Sequence, residues 1–208
     1  MSEVRIDFEW TRAFAKSPGK PAYKCVSGRI QQVGHGKQQY APFAHAALYL
    51  EFSQLDGSEN ACVGFAERWG LLTTRAYSTG ELPSEELSFW RAEIRKMRIY
   101  VQALPNVVRV ANSRGTFAKV GTVDVLLEPG TGPSPTPVLV LEPGNLLQAM
   151  NLEMAQFVAG GGSLIPCQQC RRLFQAGHGG TGSKRAIAKF CSDKCKHAFH
   201  NAKRGRHS

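Results

Sequence analysis

The chain has 208 residues, 42% of them hydrophobic, and its 26 lysines and arginines against 16 acids give a net charge of +10. That length holds one domain of ordinary size plus a small module, and the apolar fraction is that of a globular protein, not a disordered one. The opening MSEVRIDFEWTRAFAK has no continuous apolar core and no window approaches a membrane span, so a secretory leader and a membrane partner are not expected; the predicted location is cytoplasmic, where thiols stay reduced.

Residues 1 to 40 carry scattered glycine and proline, with a pair of short strands predicted around Tyr23 to Val33. Phe43 to Leu55 is dense in apolar residues and predicts a helix. A second helix begins at Ser58 and runs through Ala61, Phe65, Ala66 and Trp69 to Gly70, a residue suited to a C-terminal cap. Pro83-Ser84-Glu85-Glu86 opens the longest helix, where Leu87, Trp90, Ile94, Met97 and Val101 recur at three or four residues and form an apolar stripe. The period then changes. Ala118 to Leu127 and Val138 to Leu141 are β-prone and read as a hairpin across the Pro/Gly/Ser-rich stretch Glu128 to Pro137. Asn145 to Val158 returns to helical spacing, with Leu146, Leu147, Met150, Met154, Phe157 and Val158 inward, and Gly160-Gly161-Gly162 reads as a hinge.

No catalytic constellation emerges along this stretch, and no enzymatic activity is predicted. Glu85, Glu86 and Glu93 read as exposed helix carboxylates, and His35 and His45 are isolated. The glycine-rich stretches match neither a phosphate loop nor a dinucleotide fingerprint. Trp69, Phe89 and Trp90 sit at the spacing of core residues, and Cys25 and Cys62 stand at no metal-binding distance in sequence from any partner.

The last 42 residues are different. Cys167 and Cys170 form a C-x2-C pair, and Cys191 and Cys195 a C-x3-C pair some twenty residues later. Two close pairs joined by a loop are what a tetrahedral tetrathiolate zinc site requires. Pro166 to Cys170 predicts a knuckle turn. Leu173-Phe174, the loop Gly177 to Gly182 and the run Ala186 to Ala188 predict a small hairpin. Ser192 predicts a helix N-cap, with Asp193 in the first turn. Cys191 at the turn and Cys195 one helical turn on then share a face. His178, His197 and His200 read as loop or surface residues, since four cysteines already complete the set. Knuckle, hairpin and ligand-bearing helix together describe a treble-clef zinc finger, and the whole predicts an α+β protein: a mixed, mainly helical N-terminal domain over residues 1–162 and a zinc finger over 163–208.

The segment CQQCRRLFQAGHGGTGSKRAIAKFCSDKCKHAFHNAKR resembles the C-terminal zinc module of a bacterial protein family of unknown function: a CxxC knuckle, an aromatic, a glycine-rich loop, then FCS and a last cysteine followed by a basic helix. More loosely it is similar to the CGNR-type zinc fingers that follow an ABATE-type domain in transcription regulators. Two positions depart from those patterns: Arg171 stands where a glycine is common, and Cys195 is followed by Lys196-His197-Ala198 in place of the CGNR tetrapeptide. The resemblance implies bound zinc and a regulator's role.

Charge sharpens the expectation. Residues 167–208 hold ten lysines and arginines against one acid, whereas residues 1–166 hold sixteen against fifteen. A basic module on a neutral domain is the electrostatic footprint of a polyanion binder. On the last helix Cys195, Phe199 and Ala202 are expected inward, leaving Lys196, His200, Lys203 and Arg204 outside, followed by Arg206. Arg171, Arg172, Lys184 and Arg185 extend this surface. The predicted function is zinc-dependent DNA binding, in the manner of a transcription regulator. A protein-interaction module docking on an acidic partner is the alternative. RNA binding is a third, disfavoured because Phe174, Phe190 and Phe199 are few aromatics for base stacking.

Overall fold

The computed structural model describes residues 4–6, 8–44, 47–75, 80–110, 123–128, 138–160, 162–176 and 188–204. The fold is α+β. Its strands are β1 (Val4–Ile6), β2 (Trp10–Phe14), β3 (Tyr23–Val26), β4 (Arg29–Gln32), β5 (Gly36–Tyr40), β6 (Ser84–Glu86), β7 (Val123–Glu128), β8 (Val138–Pro143), β9 (Ser163–Pro166) and β10 (Leu173–Ala176). Its helices are α1 (Leu48–Ser53), α2 (Glu59–Trp69), α3 (Leu87–Val110), α4 (Leu146–Ala159) and α5 (Asp193–Arg204).

Short-range chemistry sets most of the helix ends. Ser58 caps α2 by accepting from the Ala61 amide at 3.2 Å, and Asn145 caps α4 by accepting from Gln148 at 2.9 Å. Gly70 ends α2 with φ +86. The stripe on α3 is buried as the spacing predicts, from Leu87 through Trp90, Ile94, Met97 and Val101 to Leu104. At the centre Phe52 of α1 and Phe65 of α2 each meet Trp90 of α3 edge to face and lie tilted against one another, with centroids 5.1 to 6.1 Å apart. Each such pair adds about 1 kcal/mol beyond its buried area.

Four small sheets frame this core. β3, β4 and β6 are antiparallel in that order, β3 turning into β4 at Ser27–Gly28. β2 pairs with β5. β8 lies between β1, to which it is parallel, and β7, with which it pairs antiparallel as the predicted hairpin requires; residues 118–122 of the predicted strand and the connection 129–137 lie outside the described residues. β9 and β10 form the last pair.

Three expectations change. The helix predicted from Phe43 to Leu55 is a 3-10 turn at Pro42–Ala44 and then the shorter α1. Ser84–Glu86 is strand β6 and not the first turn of α3. The reason lies in Glu85, which is buried, not exposed. Its carboxylate accepts from the Leu72, Thr73 and Thr74 amides, the Thr73 hydroxyl and Trp90 Nε1, and these contacts outweigh the helix-start signal of the sequence. Finally, Gly162 is more than a hinge residue. Its amide donates to Phe157 O, and a Cβ there would lie 2.3 Å from the Phe157 ring, so close packing demands glycine. Gly161 lies outside the described residues.

Candidate metal centre

The β9–β10 hairpin positions the first cysteine pair. Leu164 of β9 belongs to the same buried cluster as Trp90 and Phe157. On β10, Gln175 donates to the Tyr49 hydroxyl at 3.1 Å, and the Leu173 carbonyl accepts from Gln54 Nε2 at 3.1 Å. Ser163↔Ala176 to Pro166↔Leu173 set the register, which makes Cys167 to Arg172 the turn. Within it the Cys167 amide donates to Arg172 O and the Arg171 amide to Cys167 O, both at 2.9 Å. Arg171 takes φ 63, the left-handed region. That conformation is the physical reason a glycine suits this position.

The second pair arrives on α5. Ser192 Oγ accepts from the Cys195 amide at 3.2 Å, the predicted cap, and the Lys196 amide closes on Ser192 O at 3.1 Å. Between the halves, the Gln168 amide donates to Lys189 O at 3.0 Å, tying the approach to Cys191 onto the knuckle.

All four sulfurs, of Cys167, Cys170, Cys191 and Cys195, lie within 4.8 Å of one another. Cys191 Sγ is 3.6 Å from Cys170 Sγ and 3.5 Å from Cys195 Sγ. Tetrahedral thiolates about 2.3 Å from an ion stand about 3.8 Å apart, so the donors fit a metal. Cys167 is fully buried, Cys170 is exposed, and the other two are partly covered. Burial raises the Cys167 thiol, but backbone amides of Cys170, Cys191 and Gln169 pointing at its sulfur outweigh that and bring it below its ordinary value. Burial, and then the thiols of Cys195, Cys170 and Cys167, push Cys191 up. One thiolate is favoured and its neighbour opposed, so full ionisation of the cluster calls for a cation at its centre.

Around the centre Arg171, Arg172, Lys196 and His200 are exposed, as expected. Lys203 and Arg204 fall in α5, but their side chains lie outside the described residues, as do Lys184, Arg185 and Arg206. The arm predicted over Ala186 to Ala188 also lies outside them except for Ala188; the hairpin the structure does describe has the knuckle as its turn. Ala202 is exposed, not inward. Instead Phe199 packs on Phe190 with centroids 5.2 Å apart, and His200 borders both rings. Lys189 and Lys194 are exposed cations beside the cluster that cysteine spacing does not single out; their signal was the local charge count.

No protein-family model, curated protein or solved structure matches the chain. The geometry itself establishes a metal-competent cluster of four cysteines. No helix among the described residues is long and apolar enough to cross a membrane.

Proposed function

We propose that the chain is a zinc-dependent DNA-binding protein acting in transcriptional regulation, with Cys167, Cys170, Cys191 and Cys195 holding one zinc ion. A four-sulfur donor set selects zinc or iron among the common metals, and zinc is the usual occupant of a closed structural site. Bound zinc supplies a crosslink between knuckle and helix, and with four protein ligands it leaves no open position for substrate. A structural role for the metal follows.

The observation that carries DNA binding is the setting of the cluster. Arg171, Arg172, Lys189, Lys194 and Lys196 are exposed around it, and Asp193 is the one acid in residues 167–208. Cys191 and Cys195 anchor α5 by one face together with Phe199, which leaves Lys196 and His200 facing solvent. Lys196, Lys203, Arg204 and Arg206 contact phosphates, with Arg171, Arg172, Lys184 and Arg185 extending the contact. Such contacts position a protein without reading sequence. His200 and Asn201, exposed on the same helix, are the groups available for base edges.

Metal analysis of the purified full chain is expected to give one zinc per chain, and Cys191→Ser to lose it. With duplex DNA the logarithm of affinity should fall against the logarithm of salt concentration with a slope of roughly −4 to −5 for about five phosphate contacts. Lys196→Ala and Lys203→Ala should each shrink that slope by about one while retaining metal. Iron in place of zinc would overturn the metal assignment, and an unchanged slope in both variants would overturn the DNA surface. Capture of an acidic protein by the parent but not the variants, with DNA binding unaffected, would favour the interaction module.

A further inference from the structure

The near-neutral charge of residues 1–166 conceals a strongly uneven distribution. From Trp10 to Leu50 there are six lysines and arginines and no acid. Two of the six are engaged: Arg29 pairs with Glu86, and Arg12 bonds the Gln38 side chain and the Arg68 carbonyl. Lys16, Lys20, Lys24 and Lys37 are exposed, and none has an ion-pair partner among the described residues.

The fold gathers part of this charge into one place. The loop after β2 and the loop between β4 and β5 are clamped together, because the Ala22 carbonyl accepts from both the Val33 amide at 2.8 Å and the Gly34 amide at 2.9 Å. Between them opens a groove of about 280 Å³ bordered by Lys16, Ser17, Lys20 and His35. One residue before Ala15, which lines the groove, β2 ends in Phe14, 44% exposed. Its ring lies against Gly36, its partner on β5, where a Cβ would come within 2.6 Å of the ring carbons. Glycine at that position seats the ring and Lys37 follows it.

A cationic groove in a segment that also carries an exposed aromatic is a combination suited to unpaired nucleic acid: cations track the backbone, and a ring face accepts a base of any identity. We propose that this groove, on the opposite sequence end from the metal centre, binds single-stranded nucleic acid, with Lys16, Lys20 and His35 on phosphates and Phe14 stacking on a base. A phosphorylated small molecule accounts for less of the charge, because this acid-free segment carries two further exposed lysines, Lys24 and Lys37, outside the groove lining. The site is independent of the zinc module and does not require its DNA surface.

The test uses the full, metal-loaded chain and a short fluorescein-labelled oligothymidylate, which has no duplex structure. The parent should bind it with a salt-dependent affinity. The Lys16→Ala/Lys20→Ala double variant should shrink the log–log salt slope by about 1.4, since each single-strand phosphate contact contributes about 0.7. Phe14→Leu keeps an apolar cover on Gly36 but removes the ring, and should weaken binding about tenfold; circular dichroism verifies that both variants are folded. Absence of strand binding by the parent, parental affinity and slope in both variants, or a loss confined to Lys196→Ala on α5 would each overturn the proposal.

Discussion

Glu85 and Glu153 are two carboxylates withdrawn from water for different ends. Glu85 gathers five donors from one loop and one indole, a set that fully occupies its oxygens. Glu153 on α4 receives the Ala47 amide at 2.6 Å and the Tyr49 amide at 3.3 Å, capping α1 from another element. Burial is the larger influence on it, outweighing those amides and raising its carboxyl from 4.5 to about 7. The sign of the effect follows. Between those values the folded protein holds a proton that the unfolded chain releases, so the group's contribution is fully present below about pH 4.5 and is lost as pH rises through 7. The loss amounts to about 3 kcal/mol. Glu153→Gln cannot titrate. Measured from pH 5 to pH 8, its melting temperature should therefore gain on that of the parent by several degrees; parallel profiles would refute the assignment.

At the scale of elements, legibility in the sequence tracks the range of the physics. The stripe on α3, the helix start at Ser58 and the cap Ser192 act within a few residues and were readable from local sequence. So were the four cysteines, because metal chemistry fixes the distance within each pair. The β2–β5 pairing was not readable: its partners lie far apart in sequence, and strand β5, GKQQY, has neither alternation nor apolar content to announce it. β1 beside β8 escapes for the same reason, a parallel contact between chain segments over a hundred residues apart. β6 escapes because the donors that hold Glu85 belong to other elements. The knuckle offers a test at this scale. Arg171 is held at φ 63 in the turn between β9 and β10, a conformation that costs a side-chain-bearing residue about 1 kcal/mol relative to glycine. Arg171→Gly should raise stability by about that much with metal retained, while the salt slope for duplex DNA shrinks by about one unit. A stability decrease on thermal unfolding would show that the arginine side chain supports the turn.

For the whole molecule, the metal centre and the core are not separate accounts. The hairpin whose turn carries Cys167 and Cys170 is rooted beside Tyr49, Gln54 and the cluster around Trp90. A ligand that binds only the folded form stabilises everything that unfolds with its site. Chelation should therefore lower the melting temperature read from the near-ultraviolet signal of the core aromatics, and Cys195→Ser should reproduce the shift without chelator. A core transition that stays put while metal is lost would show the two to be uncoupled.

The two cysteine pairs also differ from their union in how far the chain must travel. Cys167 and Cys170 meet inside one tight turn, and Cys191, just before the cap of α5, meets Cys195 in the first turn of that helix, so each half is a two-sulfur claw assembled by local contacts. Joining the claws closes a loop of twenty residues. Loop-closure entropy grows only logarithmically, with each doubling of length costing about 0.6 kcal/mol. Spacing within each claw is consequently set by local geometry, whereas the entropy of joining the two claws changes little with the number of residues between them.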